Sequence, residues 1–115
     1  MQKTADIFKA LGDPTRLNII KTILSKGNRL CVGAIAEKLS ISQPAVSQHL
    51  KILKDAGLVE ANRIGFHVHY CFLEEGLKTT GISMDGFLKN IGIDKKKYQN
   101  CEHQANTEEC DGFNT

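Results

Sequence analysis

The stretch from Ile41 to Leu58, ISQPAVSQHLKILKDAGL, constrains this chain more than any other. Val46, Leu50 and Leu53 recur at i, i+4 and i+7, the spacing of one buried stripe on a helix. Turned away from that stripe are Gln43, Ser47, Gln48, Lys51 and Lys54. Ser42 stands where a side-chain oxygen accepts from the free N–H groups of a first turn, and Ile41 and Val46 where a hydrophobic staple would put them. Pro44 falls inside that turn, where its missing N–H costs no helical bond. Gly57 supplies the left-handed residue that ends such a helix. A helix with one buried face and a Ser/Gln/Lys outer face suits the major groove, because hydroxyls and amides read base edges while lysines meet phosphates. The bland reading is a solvated amphipathic helix, and the residues before it decide between the two.

Val32, Ile35, Ala36 and Leu39 form a second short apolar face, and Ser40-Ile41-Ser42 leaves room only for a tight turn before the next helix. Two short helices joined in this way are the helix-turn-helix pattern. Val59 to Arg63 and His67 to Leu73 then read as strands around Ile64-Gly65-Phe66. Phe66, Val68, Tyr70 and Phe72 alternate with His67, His69 and Cys71, so one face is expected to pack and the other to meet solvent. The fold class expected is therefore mainly α with a small β-hairpin, a winged helix-turn-helix. At this point the sequence resembles the ArsR/SmtB family of winged-helix repressors. The resemblance is carried by FKALGDPTRLNIIKTIL (Phe8 to Leu24), LCVGAIAEKLSISQPAVSQHLKILKDAGLV (Leu30 to Val59) and the hairpin to Leu73, about two-thirds of the chain.

The resemblance implies a sequence-specific regulator that binds double-stranded DNA as a homodimer on a two-fold symmetric operator. Ser42, Gln43, Ser47, Gln48, Lys51 and Lys54 are the candidate DNA contacts, with Arg63 reaching phosphate or minor groove from the wing. In the family resembled, terminal helices pair the two subunits. Carried over, that makes Phe8, Leu11, Phe87 and Leu88 the candidate interface. Leu77, Ile82, Met84, Phe87, Leu88 and Ile91 are expected to form a last helix, weakened by Gly81, Gly86 and Gly92, each costing about 1 kcal/mol relative to Ala.

Earlier in the chain, Asp13-Pro14 restarts a helix after Gly12, with Leu17, Ile20 and Leu24 giving it a broad apolar face. Arg16, one turn in, reads as a surface or ion-paired arginine rather than a phosphate clamp, and His49 as a packing or hydrogen-bonding residue. His67 and His69 read as two solvent-facing side chains. The formal net charge of +2 conceals an asymmetry. Residues 1–100 hold all 15 Lys and Arg with nine of the 13 acids, for +6, whereas residues 101–115 hold four acids and no base, for −4. A basic body (residues 1–100, the DNA-binding domain) favours a polyanion, and an acidic tail (101–115) lies away from it. No stretch is long enough to span a membrane and the N-terminus has no signal-peptide layout, so a cytoplasmic location is expected.

Four cysteines remain, and in a cytosolic chain they point to thiols, metal or redox chemistry rather than a disulfide framework. The family's arsenic and cadmium sensors carry a Cys-Val-Cys motif where this chain has Cys31-Val32-Gly33, so one thiolate is kept and that site is degenerate. Its other site needs histidine on the last helix, and none stands between Tyr70 and Asn100. The tail offers Cys101, His103 and Cys110, a set one ligand short of tetrahedral zinc. The same two thiols are also a pair able to oxidise to each other. A tail whose cysteines do nothing is the third reading. Two other function classes stand beside the regulator. A winged helix used for protein contacts in a transcription assembly is the alternative, distinguished by weak affinity for all duplex DNA. An enzyme is not expected: no phosphate loop appears, and no base or oxyanion donors surround any cysteine.

Overall fold

The computed structural model describes Gln2 to Cys101. Helix α1 (Gln2–Leu11) stops at Gly12, and α2 (Pro14–Leu24) restarts with Asp13 as its cap. The Asp13 carboxylate accepts from the Arg16 backbone N–H at 3.0 Å, and that bond lowers its pKa below the usual value. Ile19, Ile20, Ile23 and Leu24 are all buried, which makes α2 the centre of the core. A two-residue strand β1 (Leu30–Cys31) leads into α3 (Val32–Leu39). Ser40 takes a left-handed conformation (φ 56°), and the Ile41 N–H returns to the Ala36 carbonyl at 3.1 Å, closing the turn. Helix α4 (Gln43–Asp55) follows, with the Ser42 hydroxyl accepting from the Ala45 N–H. Strands β2 (Val59–Ile64) and β3 (His67–Phe72) form the wing, and α5 (Glu74–Lys78), α6 (Met84–Ile91) and a 3-10 turn at Lys95–Lys97 complete the described chain.

The hairpin expected from the sequence is part of a three-stranded antiparallel sheet in the order β1-β3-β2. Leu30 pairs with Tyr70 and Cys31 with His69. Two residues are too few for an alternation signal, which is why β1 is invisible to periodicity. Extending the register two residues back from Leu30 sets Asn28 opposite Phe72. There the backbone is already engaged, since the Asn28 N–H donates to Ile23 at the end of α2. The Asn28 side chain takes the place of the missing peptide. Its Nδ2 donates to the Phe72 carbonyl at 3.0 Å and its Oδ1 accepts from the Phe72 N–H at 2.7 Å. Asn28 is 2% exposed and has φ 60°, a conformation Asn tolerates better than most residues.

Three expectations change. Phe66 does not belong to a packing face: Ile64 pairs with His67, so Gly65 (φ 64°) and Phe66 are the two turn residues, and Phe66 is 92% exposed. His69 and Cys71 do not face solvent. Both are buried, because β3 is the central strand and Cys101 comes across that face to Cys71.

The region expected to give one last helix gives two, broken at Gly81 (φ 84°). Gly76 in α5 is needed for contact, since a Cβ there would collide with the Gly57 carbonyl. Phe87 and Leu88 are not an exposed patch. Phe87 stacks on Phe72 (centroids 5.5 Å, planes 9° apart) and Leu88 is buried beside it, so α6 closes the chain's own core. Stacking of this kind adds about 0.5–1.5 kcal/mol to the burial of the two rings.

No helix among the described residues is long and apolar enough to cross a membrane.

Candidate nucleic-acid interface

Helix α4 presents two unlike faces. Val46, Leu50 and Leu53 are buried in the core, while Ser42, Gln43, Ser47, Gln48, Lys51 and Lys54 are all exposed. Ser47, Lys51 and Lys54 line a shallow concavity that also takes in Tyr70 of β3, so α4 and the wing share one surface. Lys51 is paired with Asp55 at 3.2 Å, both side chains well exposed. Such a surface pair contributes about 0–1 kcal/mol and yields readily to a phosphate. Arg63 is exposed on β2, one residue from the turn that carries Phe66.

Arg16 ties α4 to α1 and α2. Its Nε donates to the Ala10 carbonyl at 2.7 Å and its Nη2 to Lys9 at 3.3 Å, satisfying carbonyls at the end of α1. Its Nη1 lies 3.3 Å from His49 Nδ1 on α4. Arg16 therefore joins α1, α2 and α4 through hydrogen bonds, where the sequence led us to expect a surface or ion-paired arginine, and His49 is its hydrogen-bonding neighbour.

The candidate metal residues separate. Cys31 is fully buried at the start of α3 with its thiol free. His103 and Cys110 lie outside the described residues. Cys101 is joined to Cys71 in a disulfide, Cα–Cα 5.7 Å, so the partner expected for it in the tail is replaced by one in the sheet. Glu60, across the ladder from Cys71, completes a group of three ligating side chains. The Glu60–Cys71 pair follows from the two-residue turn at Gly65-Phe66, whereas the three-residue turn read from the sequence would set Glu60 opposite Tyr70. The approach of Cys101 from 30 residues away has no signal in the sequence.

Residues 13–61 match the profile of the bacterial regulatory protein, arsR family. The chain is 44% identical over 77 residues to an uncharacterised HTH-type transcriptional regulator of Methanocaldococcus jannaschii, covering 67% of this chain and 85% of that protein. The chain belongs to the ArsR family. This ArsR-family chain is also 43% identical over 65 residues to the transcriptional repressor SdpR of Bacillus subtilis, covering 56% of this chain and 70% of SdpR. Among solved structures, the homodimeric winged helix-turn-helix DNA-binding domain from Mycobacterium bovis superimposes with TM-score 0.61 at 32% identity, covering 70% of this chain and 73% of that one. The ArsR-family protein is thus a winged helix-turn-helix transcriptional regulator that binds DNA.

Proposed function

We propose that this ArsR-family protein is a cytoplasmic homodimeric repressor that lays two α4 helices in successive major grooves of a two-fold symmetric operator. The observation that carries this reading is the two-faced α4: three buried residues fix it to the core while hydroxyl, amide and ammonium groups are exposed on the other side. Two such helices related by a two-fold axis read half-sites one helical turn apart, about 34–36 Å. Gln48 and Ser47 sit where base edges would be read, and Lys51, Lys54 and Arg63 where phosphates would be met.

Gln48→Ala should cost about 1–3 kcal/mol at a preferred site and leave non-specific affinity unchanged. Fluorescence anisotropy with specific and scrambled duplexes measures both, and equal losses on the two would overturn the base-reading role.

The dimer surface needs revision. Phe87 and Leu88 are occupied within the chain, whereas Phe8 is 49% exposed on α1 and Leu11 is partly exposed beside it. Phe8→Glu should shift sedimentation from dimer to monomer without loss of helix content. Operator affinity should fall by at least about tenfold, equivalent to about 1.4 kcal/mol. A Phe8→Glu chain that still sediments as a dimer removes Phe8 from the interface.

A further inference from the structure

The strongest unassigned cluster lies where the wing meets the end of the described chain. Cys71 Sγ and Cys101 Sγ stand 4.0 and 3.6 Å from the same carboxylate oxygen, Oε2 of Glu60. Asn62, two residues along β2, points its Nδ2 at both ends of the group, 3.4 Å from that oxygen and 3.8 Å from Cys71 Sγ. We propose that Glu60, Cys71 and Cys101 are the protein ligands of a soft divalent metal ion, zinc or cadmium in kind, when the two cysteines are reduced. Neither the degenerate Cys31 position nor the tail set beyond residue 101 takes part.

The geometry supports it. In a tetrahedral zinc site with Zn–S near 2.3 Å and Zn–O near 2.0 Å, a sulfur and an oxygen ligand lie about 3.5 Å apart. Both sulfur-to-oxygen spacings are already close to that value, so only the two sulfurs must separate. Cys71 is fixed on the central strand, and Cys101, at the half-exposed edge, is the one free to turn. Glu60 is held opposite Cys71 by the sheet register, and Asn62 orients it, as outer groups orient metal ligands elsewhere. Water takes the fourth position from the exposed side.

Entry to this state is a reduction. A phosphine takes an oxygen atom from water and becomes its oxide. Its electron pair breaks the sulfur–sulfur bond, and the two protons of that water end on the two sulfurs. The ion then displaces both protons, so uptake releases about two protons per ion at neutral pH.

The test uses the full chain, reduced with a phosphine, freed of reductant under inert gas, and titrated with cobalt(II) as an optical probe and then with zinc. One cobalt per chain with a sulfur-to-metal charge-transfer band, displaced by zinc with two protons released, is expected. Cys71→Ser and Cys101→Ser should abolish the band or weaken binding at least about a hundredfold, and Glu60→Gln about tenfold. Cys31→Ser and Cys110→Ser should bind as the unaltered chain does. Glu60→Gln removes no thiol and no disulfide, so it reports on the site even if a cysteine variant misfolds. A reduced chain that gives no charge-transfer band, or a band lost with Cys110→Ser and kept with Cys71→Ser, overturns the proposal. The titration contains no DNA, so its failure leaves the repressor reading untouched.

Discussion

Raising the salt from about 50 to about 200 mM should weaken DNA binding roughly 2,000-fold, if each protomer brings three cations to phosphates. Lys51, Lys54 and Arg63 are the three, all exposed and all beside the reading face of α4 or the wing tip. Each phosphate neutralised releases counterions and adds about 0.9 to the slope of log affinity against log salt, so six contacts in a dimer give a slope near −5.4. Lys51→Ala removes two of the six and should flatten the slope by about 1.8, on operator and random duplex alike. Its ion pair with Asp55 does not protect it, because an exposed pair is worth less than the phosphate contact. Titrations at several salt concentrations give the slope directly. A slope indifferent to Lys51, Lys54 and Arg63 together would mean the cations on this surface face something other than a nucleic acid backbone.

Asn28→Ala should be the most damaging single change outside the apolar core, at about 3–8 kcal/mol. Both backbone polar groups of Phe72 lose the Asn28 amide as partner in a site that is 2% exposed, each loss costing about 1–3 kcal/mol. Alanine is also disfavoured at φ 60° by about 1–2 kcal/mol. For a domain of this size, each kcal/mol moves the melting midpoint by about 4–8 °C, so the shift is unmistakable in a calorimeter. Asn28→Gly separates the two causes: glycine accepts the backbone angle and restores that part, but not the hydrogen bonds. If Asn28→Gly is as stable as the unaltered chain, the amide contributes nothing and the strand end is held otherwise.

The reading helix was legible because every local signal agreed: the Ser42 cap, the Pro44 position, the stripe of Val46, Leu50 and Leu53, and the Gly57 stop. Arg16 was legible only as no phosphate clamp: its bonds to the carbonyls that end α1 depend on how α1 folds back on α2, which no local pattern states. Asn28 was not, because a side chain that stands in for a peptide has no period and no motif. Phe87 and Leu88 were misread for a different reason. An apolar stripe is the same whether it covers its own sheet or a partner's, and only the position of Phe72 decides. Phe66 was readable in principle, since a two-residue turn beginning with glycine puts the next residue at the tip. Counting it into the strand alternation hid that. The site around Glu60 was hidden by the same miscounted turn, which shifts the partner of Glu60 from Cys71 to Tyr70, and its third member arrives through a path of two helices that no pattern anticipates.

The link between Cys71 and Cys101 makes a ring of the intervening chain, with α5 and α6 threaded into its circumference and both ends anchored on β3. Closing a ring of this size removes chain freedom worth roughly 3–4 kcal/mol from the unfolded state, in the loop-entropy account. It also limits where these helices go when they come loose. If α6 peels off Phe72, it stays tethered within reach of its seat, so re-docking is a short search rather than the refolding of a free end. A shared ion closes the same circumference as a sulfur–sulfur bond does. Opening it therefore frees Cys101, and the stretch that leads to it from α6, from the base of the wing, at the opposite end of the hairpin from Phe66 and Arg63.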